Sequence, residues 1–258
     1  MESWRGEIQY SLARRWPDFV HCSARLATEG PFLLEVLRGK DNKARGGMRI
    51  LDSAMGMGCE TIFLASLGFD VIGNEVNGAF RAVAVEVARR SHLALRVTAS
   101  DWRHLEATFG ADRFDYTLLL GNSLCLLREK ADQREVARNL ARICVPGGAI
   151  IVDQRNFTYM LNERHTILAG EFRYSGKVMY CGSRVRGTPS AIDDTCVQFT
   201  YLDVSTREML GKLDMYPFRN GELIELFEEA GFRLEACYSD LVSGFRDDAD
   251  FYTYVLRR

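Results

Sequence analysis

The chain has 258 residues, 47% hydrophobic and 26% charged, with 33 basic against 35 acidic side chains and a formal net charge of −2. This is an ordinary globular composition with enough length for one sizeable core. The near-even charge gives no electrostatic reason to expect nucleic acid or an anionic membrane surface as partner.

Residues 3–38 read as helical, with Phe19, Leu26, Leu33, Leu34 and Leu37 at mixed three- and four-residue steps. The polar stretch GKDNKARGG, 39–47, closes this segment, which predicts an N-terminal helical lid over residues 1–45 and a main domain over 46–258. Strand MRILDS is followed by a helix over Glu60–Leu67, strand FDVIGNE by a helix over Ala79–Arg90, and strand LRVTAS by a turn at DWRHL. Strand FDYTLLLG is followed by a helix over Gln133–Cys144, and PGG at 146–148 turns the chain into strand AIIVDQ. Strand–helix alternation of this kind predicts an α/β, doubly wound and mostly parallel sheet. From about Tyr174 to Met215, YSGKVMYCG, TCVQFTYLDV and REMLGKLDMYPF alternate in period two, which predicts an antiparallel β insertion at about 170–216. Helix NGELIELFEEAGF restores the pattern, and strands RLEACYS and DFYTYVLRR bring the main sheet to seven strands.

No run approaches the roughly 18 apolar residues of a membrane span, and MESWRGEIQYSLARRW has no apolar signal core. The seven cysteines are odd in number, scattered, and contain no CxxC, so the expectation is reduced, mostly buried thiols in the cytoplasm, without zinc or a disulfide framework. The four histidines show no metal spacing and read as surface or capping residues.

RILDSAMGMGCETIFLASLGFDVIGNEVN, 49–77, places Gly56 and Gly58 after a strand and Glu75 at the end of the next. The glycines are either plain turn residues or a backbone bared to a ligand, with the acid on ribose hydroxyls. A dinucleotide fingerprint would need a third glycine three residues after the second, and GMGCETIF has none. A nucleoside with an amino-acid tail in place of phosphates fits better, and S-adenosylmethionine (SAM) is such a ligand. Asp52 would then meet its amino group, Glu75 its ribose, and Asp101 and Trp102 its adenine.

Together with SARLATEG, LLLGNSLCLL, VPGGAIIVDQRNFTYML and LDMYPFRNGELIELFEEAGF, these stretches resemble the glycine N-methyltransferase and glycine/sarcosine N-methyltransferase family of class I, Rossmann-like SAM-dependent methyltransferases. The resemblance implies a methyltransferase that uses SAM, releases S-adenosylhomocysteine and needs no metal. It implies that Arg25 holds the methionine carboxylate, that Ala54, Gly56 and Gly58 form the backbone loop, and that Leu120 makes a backbone contact. It implies that Glu75, where relatives carry Asp, takes the ribose, and that Asp101 and Trp102 take the adenine. Asn122, Arg155 and Tyr180 are the implied catalytic and acceptor residues.

Arg155 also reads as one half of an internal salt bridge with Asp153 or Glu163, Asn122 as a turn residue, and Tyr180 as strand packing. The expected acceptor is the amine of glycine, sarcosine or dimethylglycine. The alternatives are another small-molecule acceptor, or a SAM-binding protein that senses or buffers. Neither nucleic acid nor membrane is expected as partner, and a homo-oligomer is left open.

Overall fold

The strands that carry the longest apolar runs lie at the centre of the protein, a computed structural model that describes residues 10–38, 47–172 and 179–258. In chain order the helices are α1 (Tyr10–Arg15), α2 (Cys22–Arg38), α3 (Cys59–Ser66), α4 (Gly78–Arg90), α5 (Leu105–Phe109), α6 (Lys130–Ile143), α7 (Phe157–Asn162), α8 (Arg164–Leu168) and α9 (Glu222–Glu229). The strands are β1 (Arg49–Asp52), β2 (Asp70–Asn74), β3 (Arg96–Thr98), β4 (Phe114–Leu119), β5 (Cys144–Arg155), β6 (Val185–Ile192), β7 (Val197–Asp203), β8 (Met209–Met215), β9 (Arg233–Ser239), β10 (Val242–Ser243) and β11 (Phe251–Arg257).

The main sheet runs β10-β9-β11-β5-β4-β1-β2-β3. β1 to β5 pair in parallel, while β9, β10 and β11 pair antiparallel. Successive side chains of β5 go to opposite faces: Ile150 and Val152 join one apolar cluster, Ala149 and Ile151 the other. Helices cover both faces. α6, for example, buries Val136, Ala137, Leu140, Ala141 and Ile143, at helical spacing. The chain leaves β1 toward β2 on one side and reaches β4 on the other, so strand order reverses between β1 and β4. In open α/β sheets a crevice forms there, beyond the C-terminal strand ends.

β6, β7 and β8 form a separate antiparallel sheet, with Val197, Phe199, Tyr201 and Asp203 of β7 on its buried face. This is the expected insertion, but its first strand is not YSGKVMYCG. Residues 173–178 lie outside the described residues, 179–182 form no strand, and β6 is VRGTPSAI. Pro189 and Gly187 hide that strand in the sequence; the pairing register shifts between Pro189 and Ala191, where a bulge accommodates the proline.

Other readings are corrected as well. The helix expected over 3–38 is two helices among the described residues, separated by a 3-10 turn at Trp16–Asp18 with Pro17 in its first turn. PGG does not precede the fifth strand but lies within it, with Gly147 in the left-handed region at φ +79°. The main sheet has eight strands rather than seven, because the two-residue β10 is too short to leave a period in sequence. α5, α7 and α8 were not anticipated.

The expectation of reduced thiols throughout is also corrected. Cys22 opens α2, Cys59 opens α3, and the two are joined by a disulfide with their Cα atoms 5.4 Å apart. They lie 37 residues apart, so only the packing of α2 on α3 brings them together. Cys125 and Cys144 are buried, and Cys181, Cys196 and Cys237 are half-buried.

Candidate active site

A cleft of about 180 Å3 opens at the reversal of strand order. One side is the β1–α3 loop: Ser53, Ala54, Met55, Gly56 and Met57, with Cys59 and Glu60 of α3. Gly56 sits at φ +51° and a Cβ built on it meets nothing within 4 Å, so this backbone stands open. Gly58 behaves differently. It is at φ +80°, does not line the cleft, and a Cβ there would lie 3.0 Å from the Cβ of Ala84 on α4. The pattern GxG thus splits into one glycine that bares the backbone and one that lets the loop turn tightly against α4.

Glu75 lines the cleft and braces the loop. Its Oε2 accepts the Gly56 N–H at 3.0 Å, and its Oε1 accepts the Asn77 N–H at 2.7 Å. Burial pushes its carboxyl above the usual value, against backbone bonds from Asn77, Gly56 and Val76 and the nearby Arg81 charge. Asn74, which sequence reading missed, knits three strand ends together. Its Nδ2 donates to the carbonyls of Ser53 and Ser100, and its Oδ1 accepts from Thr98 Oγ1 and the Ser100 N–H. Trp102 lines the same side, its Nε1 donating to the Ser53 carbonyl at 2.7 Å.

Two expected contacts are not made by the cleft wall. Asp52 is buried, its Oδ2 accepting from Thr61 Oγ1 at 2.6 Å, and burial pushes its carboxyl up to about 6. Asp101 turns away to Arg103, accepting its backbone N–H and both Nε and Nη2, which holds its carboxyl below the usual value despite burial. Neither side chain lines the cleft. Asp52 is taken up as an anchor of α3 and Asp101 as a cap of the Trp102–His104 turn.

Arg25 reaches the cleft from α2 but is already engaged. Its Nε and Nη2 donate to Glu29 at 2.7 and 3.0 Å, and Nη2 lies 3.0 Å from Glu60 Oε1. Burial disfavours its charge, yet Glu29 and Glu60 outweigh that and hold it well above its ordinary value. Glu60 is pushed well up by burial, which favours its protonated form, whereas Arg25 keeps Glu29 below the usual range.

On the β4 side stand Leu120, Gly121 and Asn122. Asn122 is left-handed at φ +59°, and the Asp153 carboxylate accepts the N–H groups of Gly121 and Asn122 at 3.0 and 2.5 Å. The Asn122 amide locks the turn to β5, with Oδ1 accepting the Arg155 N–H at 3.0 Å and Nδ2 lying 3.5 Å from Met215 Sδ. Burial pushes Asp153 up to about 6. Tyr180 lines the cleft, stacks on Phe19 at 4.7 Å, and donates its hydroxyl to the Gly121 carbonyl at 3.3 Å; burial pushes that hydroxyl up to about 12. Arg155 is one layer back. It does not line the cleft, and its guanidinium is boxed by Tyr180, Phe199 and Phe251 at 5.2, 5.0 and 4.7 Å from the ring centres. The salt bridge with Asp153 or Glu163 set against its acceptor role does not occur among the described ion pairs.

Trp16, Val20, Tyr201 and Met215 complete the wall, with Trp16 and Tyr201 5.6 Å apart. They come from separate elements with no shared motif; the sequence singled out none of Trp16, Val20 and Met215, and Tyr201 read mainly as strand packing. The cleft suits the expected cofactor: it offers an open glycine backbone, a braced carboxylate, an indole face and the charged pair Arg25 and Glu60.

Comparison with known proteins agrees. Residues 50–148 match the family described as a methyltransferase domain. The chain is 30% identical over its whole length to the glycine/sarcosine N-methyltransferase of Aphanothece halophytica, spanning 92% of that protein. It is also 30% identical, over 95% of its length, to part of the glycine/sarcosine/dimethylglycine N-methyltransferase of Actinopolyspora halophila, spanning 41% of that protein. In fold it resembles an S-adenosylmethionine-dependent methyltransferase from Clostridium acetobutylicum, with TM-score 0.73, 13% identity, 95% of this chain and 97% of that one.

A mostly parallel sheet with a glycine turn after β1, an acid after β2 and a cleft over the strand ends defines a class I SAM-dependent methyltransferase. The chain belongs to the glycine/sarcosine N-methyltransferase family. Among the described residues no helix is long and apolar enough to cross a membrane.

Proposed function

We propose that the protein transfers the methyl group of SAM to the amine of a small amino acid, glycine, sarcosine or dimethylglycine, in the cytoplasm. The observation that carries this reading is the continuity of the cleft. The Ser53–Met57 loop and Glu75 form one end, and Asn122, Tyr180 and Tyr201 the other, without a wall between them. A small acceptor, rather than a nucleic acid, suits a pocket of this size in a chain of net charge −2.

In this reading the described part of the expected lid, residues 10–38, covers the cleft, with Trp16, Val20 and Arg25 as its inner face; residues 1–9 and 39–45 lie outside the described residues. Ala54, Gly56 and Leu120 offer backbone, Glu75 takes the ribose and Trp102 the adenine; Gly58, Asp52 and Asp101 act only by holding the loop and turn in place. When bound, SAM supplies a methyl group already activated by the sulfonium charge. The chain's own task is alignment: it brings a neutral amine in line and keeps water out. Asn122 and Tyr180 shape the amine's approach through the Gly121–Asn122 turn. Arg155 stands behind Tyr180, and its planar fork pairs the two oxygens of the acceptor's carboxylate once that ring turns aside.

One observation favours a second reading. Arg155 lies behind the cleft wall, and Val20, Leu126, Leu213 and Met215 make much of that wall apolar. An acceptor without a carboxylate would fit those side chains and would leave Arg155 as packing. The test is Arg155→Lys assayed with SAM and glycine, sarcosine, dimethylglycine and matched amines that lack the carboxylate. Turnover of the amino acids should fall by roughly 100-fold, as for about 3 kcal/mol of charge-assisted bonding, with SAM affinity unchanged. Equal activity of the unaltered enzyme on glycine and on a plain amine would establish the second reading instead.

A further inference from the structure

The disulfide lies where the lid meets the cofactor loop. Cys59 lines the cleft directly after Gly58, and Cys22 stands at the end of the segment that carries Trp16 and Val20 into the same cleft. Each cysteine has a charged neighbour in the bridge beside it: Arg25 is one helical turn beyond Cys22, Glu60 is next to Cys59, and these two pair at 3.0 Å. Further along, Gly30 packs on Phe63 so closely that a Cβ would lie 3.0 Å from its ring. The contact between α2 and α3 is therefore tight at Gly30, ionic at Arg25, and covalent only at the end next to the cleft. None of the cofactor or acceptor roles uses this bond.

We propose that Cys22 and Cys59 form a redox-modification site that controls how readily the lid segment lifts from the SAM loop. The reagent class is a low-molecular-weight disulfide such as glutathione disulfide. Each cysteine is the first residue of a helix, where the helix dipole favours the thiolate. One thiolate attacks glutathione disulfide and releases one glutathione thiolate. The second cysteine, as thiolate, then attacks the mixed disulfide, forms the Cys22–Cys59 bond and releases the second glutathione. Two electrons pass from the two cysteine sulfurs to the two glutathione sulfurs, and the two thiol protons end on the released glutathione. A dithiol reductant runs the exchange in reverse. Cys22 is half-buried, which gives the reagent a point of attack, whereas Cys59 is buried beneath the lid.

With the bond closed, the segment 16–22 is held at Cys22 as well as at Phe19, whose carbonyl accepts the Gly182 N–H at 2.9 Å. With it open, the end at Cys22 is free to lift. Lid opening and product release limit the rate in many enzymes, so the bond acts on release more than on chemistry.

This inference rests on placing SAM in the cleft, and the experiment separates the two. The full chain is treated with dithiothreitol or with glutathione disulfide, and alkylation with peptide mass analysis counts the thiols. Oxidation should protect Cys22 and Cys59. Release of S-adenosylhomocysteine, followed by stopped flow, should be roughly tenfold or more slower in the oxidised protein, with turnover falling in step. Re-reduction should restore the rate in the unaltered chain, an arm that needs no variant to fold. Cys22→Ser, which lies outside the cleft, should work at the reduced rate under both treatments. Equal release rates in the two redox states of the unaltered chain overturn the inference while leaving the SAM site intact, as does a redox response that survives in Cys22→Ser. Failure to bind SAM in either state overturns both.

Discussion

The two glycines of the β1–α3 loop make the most discriminating test, because sequence treats them alike and structure does not. Gly58→Ala forces an L side chain into φ +80°, at about 1–2 kcal/mol, and brings its Cβ to 3.0 Å from Ala84, adding overpacking of about 1 kcal/mol or more. The expected loss of stability is about 2–4 kcal/mol, with SAM affinity little changed, since the new methyl points at α4. Gly56→Ala carries only the φ +51° cost, about 1–2 kcal/mol, because its Cβ meets no protein atom. That methyl instead stands on the ligand face of the loop, so SAM affinity should fall at least about tenfold, or about 1.4 kcal/mol. Denaturant unfolding of the two variants without ligand, and calorimetric titration with SAM, measure the two quantities separately. If Gly58→Ala weakens SAM more than Gly56→Ala does, while remaining the more stable of the two, the assignment of roles within the loop is wrong.

Glu75→Ala removes both the brace of Gly56 and the carboxylate facing the cleft, and should weaken SAM by about 1.5–3 kcal/mol in the same titration; an effect of a few tenths would reject the role. Asp52 sits near 6 rather than at its usual 3.8 because it is buried, so the folded chain keeps a proton that the unfolded chain gives up between about pH 4 and 6. This group's contribution is therefore fully present below about pH 4 and is lost as pH rises through 6, a fall of up to about 3 kcal/mol. Asp52→Asn keeps an acceptor for Thr61 and should gain on the parent as pH rises from 4.5 to 7; parallel stability curves would refute this.

The sheet was legible because its pattern is local. Runs such as RILD, FDYTLL and AIIVDQ are apolar over the length of a buried strand, and the helices between them keep a 3.6-residue period, so β1 to β5 and α3, α4 and α6 fall close to their expected places. β6 was not legible, because Gly187 and Pro189 break its period and only pairing with β7 makes it a strand. β10 and α8 are too short for any period to emerge.

Sequence by itself determined the class of chemistry: a strand, a glycine turn and an acid one unit later fix where a nucleoside can lie, since each is set by its neighbours along the chain. Tertiary structure alone decided which carboxylates face the cleft. Asp52 and Asp101 occupy the expected positions but are drawn off by Thr61 and Arg103, partners whose nearness to the carboxylate depends on how the turn and helix close. It alone also set Arg155 behind Tyr180, gathered Trp16, Tyr201 and Met215 into one wall, and brought Cys22 to Cys59. A side chain's direction and its long-range partners follow from how elements pack in space, and a linear pattern carries no record of which distant faces will meet.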